Sequence, residues 1–177
     1  FVCFLSYVSV RSSIWIPETD SNDKFQFIGE LKIGKGQWTM KMPTEKIDTI
    51  MFAPCGMNCK VCYKHCYHKK PCAGCLNSDN GKPEHCRKCK IKDCIKGRGL
   101  SYCFECSDYP CKLIKNLEKS YNKRYQASLM ENSEFVRKNG LEAFMEKQKE
   151  KYTCVKCGGI ISIHDRECSE CQEKMNS

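Results

Sequence analysis

Long apolar runs are missing from this chain. No stretch approaches the roughly 20 consecutive apolar residues that a membrane-spanning helix needs, so no spanning helix and no membrane partner are expected. Aliphatic and aromatic residues are scarce between positions 53 and 112, so that stretch cannot close an ordinary apolar core. Small units of this kind need covalent or coordinate cross-links to offset the entropy of ordering the chain. Catalytic signatures are missing as well: there is no phosphate-binding glycine loop ending in Lys-Ser or Lys-Thr, no H-E-x-x-H and no G-x-S-x-G. The segment Phe1 to Val10 is apolar but lacks a basic start and a small-residue cleavage site, so no secretory signal is expected. The chain opens on Phe1 rather than Met, and Met40, Met42 and Met51 are later candidate starts.

What the chain has is cysteine: 17 in 177 residues, a density that signals a disulfide or a metal scaffold. Six C-x-x-C pairs occur, Cys59/Cys62, Cys72/Cys75, Cys86/Cys89, Cys103/Cys106, Cys154/Cys157 and Cys168/Cys171. Two intervening residues let both sulfurs of a pair reach one ion from a tight turn. Disulfide frameworks seldom repeat that spacing, and an odd total leaves one thiol over. Metal thiolates are therefore expected, which implies a reducing cytoplasm. Cys3 is the spare thiol.

Cys154-x-x-Cys157 and Cys168-x-x-Cys171 are ten residues apart, and Gly158-Gly159 follows the first pair. The glycines suit a knuckle in which backbone amides face the sulfurs. Ile160 to Ile163 reads as a short strand leading to a turn at His164-Asp165-Arg166. Two opposed knuckles make a closed four-sulfur zinc ribbon with no open coordination position, so catalysis there is not expected. His164 reads as a turn residue rather than a fifth ligand.

The remaining twelve candidate ligands are Cys55, Cys59, Cys62, Cys66, Cys72, Cys75, Cys86, Cys89, Cys94, Cys103, Cys106 and Cys111, enough for three tetrahedral ions and about four Zn2+ sites in the whole chain. Spacing does not fix which of them share an ion. His65, His68 and His85 lie close enough in sequence to replace a cysteine, although each reads first as a surface histidine. Cys55-x3-Cys59-x2-Cys62 has the form with which radical S-adenosylmethionine enzymes hold a [4Fe–4S] cluster. Even a partial barrel of that kind needs on the order of 200 residues, and only about 115 follow Cys62. A plain [4Fe–4S] cluster in the central block stays as the alternative to zinc, since thiolate quartets bind both. Against clusters stands the lack of a ferredoxin-type C-x2-C-x2-C-x3-C-P run.

The formal charge of +9 counts every cysteine as neutral. Four zinc ions, each held by four thiolates, carry −2 apiece and would bring the balance to about +1. The lysine excess then neutralises the sites, and it is weak support for a polyanionic partner. Tyr63, Tyr67, Tyr102, Phe104 and Tyr109 lie among lysines, as base-stacking residues do in nucleic-acid binders. The plainer expectation is that they roof the metal sites and exclude water.

One stretch carries a family resemblance. It opens with Ala53-Pro54-Cys55-Gly56-Met57-Asn58-Cys59-Lys60-Val61-Cys62 and continues with Pro71-Cys72-Ala73-Gly74-Cys75 and Cys89-Lys90-Ile91-Lys92-Asp93-Cys94. It closes with Tyr102-Cys103-Phe104-Glu105-Cys106-Ser107-Asp108-Tyr109-Pro110-Cys111. Together these elements resemble the bacterial and archaeal cysteine-rich family catalogued as domain of unknown function 3795, over residues 53 to 113. Cys66 and Cys86 stand outside the clear elements of that pattern. The resemblance implies metal binding, with zinc as the supposed ion, and brings no activity with it.

The fold expected is a small, metal-dominated α+β protein, a cysteine-knuckle domain followed by short helices and a zinc ribbon. Residues 1–51 form an N-terminal extension with strand-like segments at Val8–Ile16 and Phe25–Ile33 and a turn near Gly34–Gly36. Residues 52–112 are the cysteine-rich domain, 113–151 a helical segment and 152–177 the ribbon. Leu113, Leu117, Tyr121 and Tyr125 mark one helix. Ser133 reads as the cap of a second that ends at Gly140, and Leu141, Phe144 and Met145 mark a third ending near Lys151. The functional expectation is a non-catalytic zinc module that presents a surface, to a protein before a nucleic acid. An iron–sulfur redox protein is the alternative.

Overall fold

The helices of the second half begin and end on local chemistry. The computed structural model describes residues 40–67 and 70–175, so the expected strands before residue 34, the Gly34–Gly36 turn, Cys3 and His68 lie outside the described residues. Helix α4 (Lys112–Tyr125) starts just beyond Pro110, with Cys111 at its N-cap, and ends where Gln126 adopts a left-handed conformation (φ 51°) and donates its N–H to the Asn122 carbonyl. Its inward edge is Ile114, which is 2 % exposed, rather than Leu113, which is 39 % exposed. Leu117 and Tyr121 of the expected stripe do pack on the core.

Helix α5 (Leu129–Asn139) is capped by Ser128, whose hydroxyl accepts from the Glu131 N–H at 2.9 Å. The expected cap, Ser133, is instead buried inside the helix and donates to the Leu129 carbonyl at 2.9 Å. The reason is packing. Gly56 passes so close to α5 that a Cβ on it would lie 2.2 Å from the Leu129 oxygen and 2.6 Å from the Ser133 hydroxyl. Only small groups fit at this crossing. Gly140 (φ 87°) ends α5, and α6 (Leu141–Tyr152) follows directly.

Before residue 112 the helices are short: α1 (Tyr63–Cys66), α2 (Glu84–Arg87) and α3 (Lys90–Gly97), with 3-10 turns at Thr49–Met51, Cys59–Val61 and Cys103–Glu105. The described part of the molecule is mostly helical. Among the described residues β structure is confined to isolated antiparallel bridges, Lys41 with Gly159, Phe52 with Asn58, Thr153 with Ile160, Ile161 with Cys168 and Glu167 with Lys174. The expected Ile160–Ile163 strand shrinks to bridges at its first two residues, because the chain turns again from Ile163.

One apolar core gathers side chains from distant segments. Phe52, fully buried, sits at its centre, with ring centroids 5.3 Å from Tyr102 and 5.1 Å from Phe144, both edge-to-face. Met42, Ile47, Leu129, Val136, Met145, Ile160 and Ile163 are among its other members. A smaller cluster of Ile95, Cys103 and Ile114 lies under α3 and the start of α4. The described residues, 40–67 and 70–175, belong to one compact unit. Among the described residues no helix is long and apolar enough to cross a membrane.

Candidate metal centre

After Tyr152 seals α6 into the core, the chain makes two matching turns. In the first, Cys154 N–H donates to the Gly159 carbonyl and Gly158 N–H to the Cys154 carbonyl, both at 2.8 Å. In the second, Cys168 N–H donates to the Glu173 carbonyl at 2.8 Å and Gln172 N–H to the Cys168 carbonyl at 3.0 Å. Gly158 (φ 72°) and Gln172 (φ 61°) hold equivalent left-handed positions. Glycine does so without strain, whereas glutamine is one of the few other residues here that does. Amide groups then face the sulfurs: Gly159 N–H points at Cys157 Sγ at 3.4 Å, and Glu170 N–H at Cys168 Sγ at 3.5 Å.

The turns bring Cys154, Cys157, Cys168 and Cys171 together with all four Sγ atoms within 4.8 Å of one another. Cys154 and Cys171 sulfurs are 3.6 Å apart, and those of Cys157 and Cys168 are 3.5 Å apart. A single ion with metal–sulfur bonds of about 2.3 Å needs tetrahedral edges of about 3.8 Å, so the group is already close to that size. Burial works against ionisation at Cys154, but the N–H groups of Cys157 and Lys156 and the sulfurs of Cys171 and Cys168 outweigh it and bring the thiol down to about 7. Burial, reinforced by the Cys157 and Cys171 sulfurs, pushes Cys168 up to about 12. Four thiolates so close repel one another, and a cation at their centre is what lets them coexist. The donor set fits a thiophilic metal ion.

The site is clamped from outside by residues whose part the spacing of cysteines did not reveal. Met40 N–H donates to the Glu170 carboxylate, Ile160 N–H to the Met40 carbonyl at 3.1 Å and Met42 N–H to the Gly158 carbonyl at 2.9 Å. Lys41 Nζ reaches the Cys157 carbonyl at 3.0 Å. Below, His164 is a junction. Its Nδ1 accepts from the Tyr63 N–H at 3.5 Å, which leaves the proton of the neutral ring on Nε2, facing the Tyr121 hydroxyl at 3.1 Å. Tyr63, Tyr121 and Tyr125 surround the ring. Burial holds its pKa below the ordinary 6.5.

The twelve central cysteines are arranged differently. Among the described residues the Cys154 group alone brings three or more metal-ligating atoms within 4.8 Å of one another. Cys59 and Cys75 form a pair, with Cys75 N–H pointing at Cys59 Sγ at 3.4 Å. The hydrogen bond from Cys59, helped by Lys82 and Lys92, brings Cys75 down to about 7, and the same bond with burial pushes Cys59 up. Lys82 is buried behind this pair, its Nζ held by the Cys75 and Asn77 carbonyls at 3.0 and 2.7 Å and by Asp79 at 3.0 Å. Burial raises Cys55 well above the thiol range, with Cys75, Cys103 and Cys89 nearby. Burial also raises Cys62 and Cys86 to about 11, with Cys72 close to both. Cys94, Cys103, Cys106 and Cys111 line one cavity. Cys66 is buried in the main core, its Sγ donating to the Lys60 carbonyl at 3.5 Å. His65 is turned to the Cys72 carbonyl, 2.9 Å from its Nδ1.

Most of the aromatics that lie among lysines in the sequence are engaged in packing, while Tyr67 is exposed. Tyr102 stacks on Phe104 at 5.4 Å and both rings pack on Phe52. Arg137 lies over Phe104 and Tyr109, and Tyr67 donates its hydroxyl to the Glu167 carbonyl at 2.9 Å.

Residues 51–116 match the model of a family described as a protein of unknown function, DUF3795, the family that the cysteine pattern of the central block resembles. No curated protein and no solved structure matches the chain.

Proposed function

We propose that this chain is a non-catalytic zinc-binding module of the cytoplasm, in which Cys154, Cys157, Cys168 and Cys171 form a zinc ribbon holding one Zn2+. One observation carries the reading: four sulfurs converge within 4.8 Å, presented by two matching turns whose amides face them. Four protein ligands fill a tetrahedral ion, so no position is left for water or substrate, and the ion's part is structural. A closed tetrahedral sulfur set is the usual arrangement of structural zinc, which supports this choice of ion. The twelve central cysteines extend the same metal-thiolate chemistry, and a reducing compartment keeps all of them from pairing as disulfides. The rigid surface so formed serves a partner, a protein before a nucleic acid, because most of the aromatic rings that could stack on bases, Tyr102 and Phe104 among them, are spent on packing.

The test is zinc content. Replacing Cys157 with Ser should remove about one zinc per chain and loosen the C-terminal turns, because coordination supplies their folding energy. Full zinc retention in that variant overturns the ribbon.

A further inference from the structure

The cavity under α3 has four sulfurs on its walls and no part in the ribbon. Cys94 comes from α3, Cys103 and Cys106 from the 3-10 turn and its end, and Cys111 from the N-cap of α4. We propose that Cys94, Cys103, Cys106 and Cys111 hold a [4Fe–4S] cluster in this cavity, a second metal centre distinct in kind from the ribbon. The inference rests on the metal-thiolate reading of the central block but not on the ribbon's zinc.

Spacing is the first support. The ribbon shows how this chain arranges sulfurs for one ion, in contact at 3.5 and 3.6 Å. The four sulfurs line one cavity of about 40 Å³, yet no three of them come within 4.8 Å of one another. A cubane binds each thiolate through a different iron, which sets the sulfurs roughly 6 Å apart. Spread sulfurs around a common void match that demand, whereas a single ion would need them drawn together.

Electrostatics is the second. A four-thiolate cluster carries net negative charge, and the cavity supplies positive partners for it. Cys111 stands at the N-cap of the fourteen-residue helix α4 and makes no side-chain capping bond, and the first-turn N–H groups and the helix dipole favour an anion there. Arg98 Nη1 donates to Cys106 Sγ at 3.1 Å, and Asp108, 2.8 Å away, fixes the guanidinium. Hydrogen bonds to cluster sulfurs are among the levers that set the potential of such a centre. The walls between the sulfurs are apolar, Ile95 and Ile114 from the buried cluster with Leu113 beside them, while Cys94 stands exposed at the rim.

The full chain purified without oxygen, or reconstituted with ferrous iron and sulfide under reducing conditions, should contain about four irons and four acid-labile sulfides. It should be brown and give a paramagnetic signal after dithionite reduction. Cys106→Ser and Cys111→Ser should each lose that iron and signal while keeping the ribbon's zinc, which also reports that the rest of the chain is folded. Arg98→Met should keep the iron and lower the reduction potential, an effect that a purely structural arginine would not have. Cys157→Ser should keep the iron, so failure of the ribbon reading shows separately as unchanged zinc. Iron-free protein after reconstitution, zinc in place of iron at this site, or undiminished iron in both cysteine variants overturns the proposal.

Discussion

A methyl group added at Gly159 would sit 2.6 Å from the Cys168 sulfur and 2.8 Å from Glu170 Cγ. The sulfur cannot retreat without opening the tetrahedron. Gly159→Ala should therefore weaken zinc binding by about 10–100-fold, the range seen when the support of a metal ligand is disturbed, as read by competition with a chromogenic chelator. His164 gives a pH prediction at the same scale. Its folded pKa lies below the ordinary 6.5, because burial disfavours the imidazolium. On acidification the unfolded chain takes up the proton first. The ring's contribution, about 1–2 kcal/mol for its hydrogen bond and ring contacts, is whole above 6.5 and is lost as the pH falls through the lower folded value. The stability gap between wild type and His164→Phe, measured by urea unfolding of zinc-loaded protein, should shrink on acidification; a gap independent of pH contradicts the junction. Single residues were unequally legible in the sequence. Cys154, Cys157, Cys168 and Cys171 announce themselves by local spacing. The partners of His164 lie 101 and 43 positions away at Tyr63 and Tyr121, and no local pattern connects them. Cys66 reads like any other cysteine until its burial against the main core is seen.

At the scale of elements, α4 and α5 are joined by one carboxylate. Glu118 on α4 accepts from the Ser128 hydroxyl at 2.6 Å and from the N–H groups of Leu129 and Met130 at 2.8 and 3.0 Å, so it satisfies the open donors at the start of α5. Burial pushes Glu118 up, but the bonds from Ser128, Met130, Asn122 and Leu129 outweigh it and hold its pKa below the ordinary 4.5. Its stabilisation is present above 4.5 and is lost as the pH falls through the folded value. Glu118→Ala should cost about 1–2 kcal/mol, seen as a lower urea midpoint with metal content unchanged; an unshifted midpoint would mean that the cap carries no load. The helices α4 and α6 could be read in advance because apolar residues recur at helical spacing, although the inward edge of α4 begins at Ile114 and not at Leu113. The start of α5 could not, since Ser128 is capped across a turn by Glu118, and Ser133 is small for the sake of Gly56 rather than for capping. The strand expected at Ile160–Ile163 is curtailed by the turns that deliver Cys157 and Cys168 to the site, a demand that β propensity does not register.

In the molecule as a whole, the Cys154 group and the core are mechanically continuous. Met40 and Met42 hydrogen-bond to Glu170, Ile160 and Gly158, while Met42 and Ile47 are buried beside Phe144 and Met145. Removing the ion with a chelator should therefore raise amide hydrogen exchange in residues 40–42 as well as in 154–175, with the interior of α5 changing least. Exchange confined to the C-terminal turns would show that the clamp holds without the metal. The excess of lysine and the sixteen cysteines of residues 55–171 were plain at this scale in the sequence alone. The clamp was not, because nothing in Met40-Lys41-Met42 marks it as the neighbour of a segment more than a hundred positions later.

That clamp also orders events in time. Methionines 40 and 42 leave the ribosome long before Gly158, Ile160 and Glu170 exist, and until then their backbone groups have only water or other chains to pair with. Synthesis that halts short of Cys171 would leave residues 40–42 without their partners and the set of thiolates incomplete. The stretch from Gly158 to Cys171 thus decides when residues 40–42 find their partners.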